Sequence, residues 1–265
     1  MVIDLTGRVV MITAGATKAG RLFAHEFAKS GADIVISYLP CQAEAAERTK
    51  KEVEEIGKRC LAVETDLNYV DQLENLVAKT DEYYGRLDGL ILNAATTHVV
   101  PFEEMTENDW DESNRVIAKA TAFLSRAAAK VMMKNEYGRI IGIGGNSFYE
   151  NDPIVIPHGN AKVGMAKALQ GIAVQYTPYI MCNTINMNMF YPMEESDFRE
   201  REAEYGDTAY ANLGGIYEFN GRNWRCLDTQ GVVDFLIFLV GCRPSCAING
   251  ENIAMDGGMG LNCYR

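Results

Sequence analysis

The stretch RVVMITAGATKAG, Arg8 to Gly20, decides the fold. Val9 to Ile12 are apolar at every position, the pattern of a strand covered on both faces. Thr13, Ala14, Gly15 and Ala16 then form a turn of small residues, and helical spacing begins just after it. A strand, a small-residue turn and a helix in that order open a parallel α/β unit. Small side chains let the backbone approach a pyrophosphate, and the helix start offers N–H donors and the positive end of its dipole.

Working outward, the same alternation repeats along the chain. Apolar runs at 8–13, 33–38, 60–65, 87–93, 139–143, 179–185 and 252–255 read as seven strands. Helical spacing fills 19–30, 42–57, 69–84, 107–134, 158–177 and 228–241, with Gly31 and Gly57 placed to stop the first two. The expected fold class is α/β, a doubly wound parallel sheet of about seven strands with helices on both faces. No repeat or Pro/Ser-rich linker interrupts the 265 residues, so a single domain over 1–265 is expected. One segment, 187–225, is polar, aromatic and out of step with the alternation. A connection of that length reads as a lid or substrate loop.

Charge and cysteine usage exclude several functions. Lys plus Arg number 25 against 36 Asp plus Glu, a formal charge of −11, which opposes attraction to nucleic-acid phosphates or anionic lipid. No apolar run reaches the roughly 18 residues of a membrane helix, and the opening MVIDLTGRVV has no basic leader region. Seven cysteines form no C-x-x-C pair and no cluster with histidine. These features predict a soluble cytoplasmic protein with reduced thiols and no metal site. Its partner is expected to be a small molecule, with neither nucleic acid nor membrane.

Further motifs sharpen the reading. Asp66-Leu67 follows the third strand, LNAA (Leu92 to Ala95) ends the fourth, and GRIIGIGG spans 138–145. HGNAK occupies 158–162 and INGENIAMDGG 248–258. Together with the opening turn, these resemble the short-chain dehydrogenase/reductase family across essentially the whole chain. The resemblance implies a Rossmann-type oxidoreductase that binds NAD or NADP along the carboxyl ends of its strands. It places Thr13, Gly15, Ala19 and Gly20 at the phosphate turn, Asp66 and Leu67 beside the adenine, and Asn93 and Ala94 along the ribose. Lys162 is implied to bind the nicotinamide ribose. The second strand ends in Ser37-Tyr38-Leu39-Pro40 without the acid that would hold a 2′-hydroxyl. Lys18 stands where the family usually has glycine, so NADP is favoured over NAD. The long helices 107–134 and 158–177 resemble the pair through which members form homodimers or homotetramers; Ala122, Phe123, Val163 and Ala166 suit apolar outer positions there, and a core role is equally compatible with them.

The chain departs from the family where chemistry is done. The usual Ser, Tyr and Asn positions are occupied by Gly145, His158 and Ile117, and Ala14 replaces the first turn glycine. Two readings follow. In one, His158 replaces the tyrosine: it lies four residues before Lys162, on the same helical face, and the nearby ammonium keeps its ring neutral. A neutral ring polarises a carbonyl through N–H. Ser147 and Tyr149, with Asn146, are candidates to orient the substrate oxygen, while His98 faces the cleft mouth and Tyr191, Tyr205 and Tyr210 lie in the lid. The substrate is then a small carbonyl or alcohol, or an activated C=C or C=N bond. In the other reading the chain is a catalytically silent NAD(P)-binding sensor or partner subunit.

Overall fold

The computed structural model describes residues 3–145, 153–187, 216–219, 222–225, 229–258 and 260. Seven strands form one parallel sheet: β1 (Val9–Ile12), β2 (Asp33–Tyr38), β3 (Cys60–Glu64), β4 (Gly89–Leu92), β5 (Gly138–Ile143), β6 (Ile180–Met187) and, last in the chain, β9 (Asn252–Met255). Their spatial order is β3-β2-β1-β4-β5-β6-β9. The order reverses between β1 and β4, which opens a crevice at the carboxyl ends of the strands where such sheets take ligands.

Apolar runs without alternation produce this sheet because both of its faces are covered. Val9 and Met11 enter one core with Leu73, Leu76, Leu124 and Leu169; Val10 and Ile12 enter the other with Phe23, Phe27, Leu236 and Val240. Helices α3 (Val70–Tyr84), α5 (Ala120–Met132) and α6 (Ile156–Tyr176) supply the first layer. Helices α1 (Lys18–Lys29), α2 (Ala43–Glu55) and α7 (Thr229–Gly241) supply the second. Each fully buried Phe or Leu contributes about 1.5–3 kcal/mol.

The end of the sheet opposite the crevice is fixed by a fully buried carboxylate. Asp88 accepts from Arg8 Nη1 at 2.9 Å, from Arg86 at 2.8 and 2.9 Å, and from the Val9 amide at 2.8 Å. This ties β1 to the residue that precedes β4, so the ends of both strands that face the crevice are held in register.

Two expectations change, and one left open is decided. The helix expected over 107–134 is divided into α4 (Glu107–Ser113), a π-helical segment Asn114–Lys119, and α5. In the widened segment the Asn114 amide bonds the Trp110 carbonyl and its Oδ1 accepts from Asn160 of α6. Of the α6 positions left open between an outer and a core role, Ala166 is 1% exposed and belongs to the core, whereas Val163 faces outward. The sixth strand runs two residues further than its expected end, to Met187. The segment 187–225 lies mostly outside the described residues; within it β7 (Ile216–Phe219) pairs antiparallel with β8 (Arg222–Arg225).

Candidate active site

The turn after β1 is built by close approach. A Cβ on Gly15 would overlap the Ile36 side chain, and one on Gly20 would overlap the Ala14 carbonyl. Both positions therefore require glycine for α1 to start this near the sheet. Ala14 adopts φ +53°, a left-handed conformation that costs a β-carbon-bearing residue on the order of 1 kcal/mol. Neighbours hold it there: its N–H donates to Ser37 Oγ at 3.1 Å, and its carbonyl accepts from Thr17 Oγ1 at 2.7 Å. Thr17 is also the N-cap of α1, accepting from the Gly20 amide at 3.3 Å.

Beyond the turn lies a cavity of about 370 Å³, lined by Ala14, Tyr38, Asp66, Leu67 and Ala94 among others. Its volume falls in the range of small-molecule and cofactor sites. The structure thus brings together several residues singled out by sequence, with different uses. Thr13 Oγ1 accepts from the Asn93 and Ala94 amides at 2.9 Å each, and Asn93 Nδ2 donates to the Thr13 carbonyl at 3.0 Å. These two side chains tie the ends of β1 and β4 together and are not among the residues lining the cavity. The Ser37 hydroxyl is likewise engaged by the turn. Asp66 Oδ1 accepts twice from Asn68, at 2.9 and 2.8 Å. Lys18 is exposed at the first position of α1, with Ala19 half-buried beside it.

His158 and Lys162 project from the first turns of α6, outside the lining of that cavity. Lys162 is 6% exposed and donates to the Ile143 carbonyl at 2.5 Å. Burial pushes its pKa down to about 8. His158 Nδ1 lies 2.9 Å from the Thr96 carbonyl and 3.2 Å from Thr97 Oγ1. Burial holds the imidazole below its usual pKa, the Thr96 bond opposes this, and the Lys162 ammonium adds to the lowering. His98 lies away from this pair, with Nδ1 3.3 Å from Asp109 and Nε2 3.2 Å from Glu112 Oε2, the latter too poorly aligned for a hydrogen bond. Its position anchors the 94–101 segment to α4. Ser147, Tyr149, Asn146, Tyr191, Tyr205 and Tyr210 lie outside the described residues.

Sequence reasoning missed two contributors. Thr96 acts through its backbone carbonyl, which no side-chain pattern announces. Asn186 is 2% exposed at the end of β6, and its Nδ2 has no hydrogen-bond partner among the described residues. Its Oδ1 stands where a Cβ on Gly144 would lie. β6 carries Asn183 and Thr184 as well as Asn186, so polarity alone did not single this residue out. Among the described residues, nothing lies within 4 Å of a Cβ built on Gly145. An orphaned amide, a glycine-built turn at a helix start and a cavity at the strand ends together fit a dinucleotide.

The short chain dehydrogenase family profile matches residues 8–202. The L-rhamnose-1-dehydrogenase of Scheffersomyces stipitis is 27% identical over 263 residues, covering 97% of this chain and 98% of that protein. A probable 2,4-dienoyl-CoA reductase of Bacillus subtilis is 26% identical over 260 residues, covering 97% and 98%. Among solved structures, an NAD+-bound xylitol dehydrogenase superposes with TM-score 0.80 at 19% identity, covering 96% of this chain and 99% of that one. The chain belongs to the short-chain dehydrogenase family and is an oxidoreductase of that family.

Proposed function

We propose that the protein transfers hydride between a nicotinamide dinucleotide and a small organic substrate: a carbonyl or alcohol, or an activated C=C or C=N bond. His158 and Lys162 take the places of the usual proton-transfer and ribose-binding groups. The observation that carries this is the cavity of about 370 Å³ at the carboxyl ends of the strands, where Ala14, Tyr38, Asp66 and Ala94 converge. When bound, the nicotinamide supplies or accepts hydride. The chain's own residues bind, orient and handle the proton. Lys162 offers the ribose hydroxyls a donor and keeps positive charge near the reacting centre, while His158 exchanges the proton of the substrate oxygen. Ser147 and Tyr149 orient that oxygen, and the 187–225 segment closes over it and excludes water.

NADP is favoured over NAD. No carboxylate follows β2 to repel a 2′-phosphate, and the Lys18 cation stands at the start of α1. A homodimer or homotetramer assembled through α5 and α6 is supported by the outward Val163. Free thiols at Cys41, Cys60, Cys182, Cys242 and Cys246 suit a reducing cytoplasm, and no helix among the described residues is long and apolar enough to cross a membrane.

Titration calorimetry with NADPH and NADH tests the reading. Binding of NADPH is expected to weaken by about tenfold, roughly 1.4 kcal/mol, in Lys18→Ala. Failure of the wild type to bind either nucleotide overturns the function, and unchanged NADPH affinity in the variant overturns the role of Lys18. A monomer by light scattering removes the oligomer.

A further inference from the structure

The end of α7 is pinned to the start of β5 by two side chains. Tyr137 donates its hydroxyl to the Val240 carbonyl, and Arg139 Nη2 donates to the Cys242 carbonyl at 3.2 Å. A cation here also suits the negative pole of the helix. Arg139 is only 1% exposed. Its Nη1 donates to the Gly138 carbonyl at 2.7 Å, its guanidinium lies 4.2 Å from the centre of the Tyr137 ring, and its Nε has no partner among the described residues. All of these contacts are to neutral groups, so a buried positive charge is left to act on whatever else lies near it.

What lies near it is sulfur. Cys242 is 7% exposed, and its Sγ lies 3.4 Å from the Leu239 carbonyl. The chain bends at Cys242 and re-enters a short turn, Pro244–Cys246, in which the Cys246 amide donates to the Arg243 carbonyl at 2.9 Å. Cys246 is exposed. Burial raises the pKa of the Cys242 thiol, Arg139 opposes the rise, and Cys246 adds to it through its charge and through hydrogen bonding. The two sulfurs are therefore neighbours, one open to solvent and one held inside beside a cation.

We propose that Cys242 and Cys246 form a reversible redox pair, closing to an intrachain disulfide by exchange with a low-molecular-weight disulfide such as oxidised glutathione. Exposure gives Cys246 the first step and burial gives Cys242 the second. The Cys246 thiolate attacks one sulfur of the reagent, whose S–S bond breaks and releases one thiol. Cys242 then loses its proton to solvent and attacks the Cys246 sulfur, and the mixed S–S bond breaks to release the second thiol. Two protein thiols are oxidised and one disulfide is reduced. Arg139 serves the second step, because its charge favours the Cys242 thiolate and its bond to the Cys242 carbonyl fixes the residue that must attack. The product straps the end of α7 to the segment leading into β9. This lies at the end of the sheet opposite the crevice, so the proposal does not depend on which nucleotide the crevice binds.

The test treats the folded protein with oxidised glutathione, then removes the reagent, blocks remaining thiols, and locates every S–S linkage by mass spectrometry with peptide fragmentation. The wild type is expected to contain a Cys242–Cys246 disulfide that dithiothreitol reverses. Cys242→Ser is expected to accumulate glutathione on Cys246, because the second step has been removed. Cys246→Ser is expected to leave Cys242 as a free thiol. Glutathione persisting on Cys246 of the wild type, a Cys246 that stays unmodified, or a linkage of either residue to a different cysteine overturns the proposal. So does glutathione on Cys242 in Cys246→Ser. The wild-type linkage decides the matter even where a variant fails to fold.

Discussion

The Lys162 ammonium donates to the Ile143 carbonyl across 2.5 Å at a position only 6% exposed. Burial alone depresses its pKa, from 10.5 to about 8. Below about 8 the folded protein holds a charge that the unfolded chain would solvate. Between about 8 and 10.5 the unfolded chain binds more protons than the folded one, so this group's contribution to stability improves as pH rises. Lys162→Met is therefore expected to unfold at a higher temperature than wild type near neutral pH, by an amount on the order of 3 kcal/mol. That advantage should shrink on approaching pH 10, while dinucleotide affinity falls. Thermal unfolding of both proteins across that range is the check. A variant less stable than wild type at neutral pH would mean that the ammonium–carbonyl bond outweighs desolvation.

The turn predicts a pair of opposite effects. Gly20→Ala forces a methyl group into the Ala14 carbonyl, and overpacking of this kind costs about 1–3 kcal/mol. Ala14→Gly relieves a φ of +53° and is expected to be neutral or to stabilise by up to about 1 kcal/mol, the strain released being partly offset by the freer unfolded chain. Urea unfolding of the two variants measures both. Equal effects of the same sign would show that α1 moves to absorb the change.

These residues also show how far the sequence could be read. Val9 to Ile12 announced their strand because each of them enters one of two cores, and a doubly covered strand leaves no polar face to confuse the pattern. Gly15 and Gly20 were legible because close approach demands glycine. The break at Asn114–Lys119 was not, since a π-helical turn differs from an α-helical one by a single residue and has no composition of its own. Asn186 escaped notice because the strand was expected to end before it. The contacts of the His158 ring were not legible either. Nδ1 meets a carbonyl 62 residues away in sequence, and only folding brings the two together.

Asp88 makes a prediction about the opposite end of the sheet. Its carboxylate is fully buried and accepts from two guanidinium groups and a backbone amide. Asp88→Asn removes the charge and leaves donors facing donors. Breaking a buried pair costs about 3–5 kcal/mol, and the partial exposure of Arg8 and Arg86 places the expected loss near the lower figure. Because the cluster lies away from the crevice, dinucleotide affinity below the unfolding transition should be unchanged. A large change in affinity would show that the two ends of β1 and β4 are coupled.

Introducing the side chains that the family resemblance implies should succeed at one position and fail at another. At Gly145 the Cβ direction meets no heavy atom of the described residues within 4 Å, so Gly145→Ser should fold with stability within about 0.5 kcal/mol of wild type, like most uncrowded substitutions. Ile117 is 2% exposed and belongs to the core between the sheet and α5 and α6. The void beside it is only about 10 Å³, about the minimum that a water needs, and its walls are mostly apolar. Ile117→Asn therefore buries an amide without partners, and the loss of apolar contact adds to a desolvation cost of about 1–3 kcal/mol. Its unfolding midpoint should fall well below that of Gly145→Ser. If Ile117→Asn proved as stable as wild type, the π-helical segment would have to be offering its freed carbonyls to the new amide, and the departure at this position would no longer have a packing explanation.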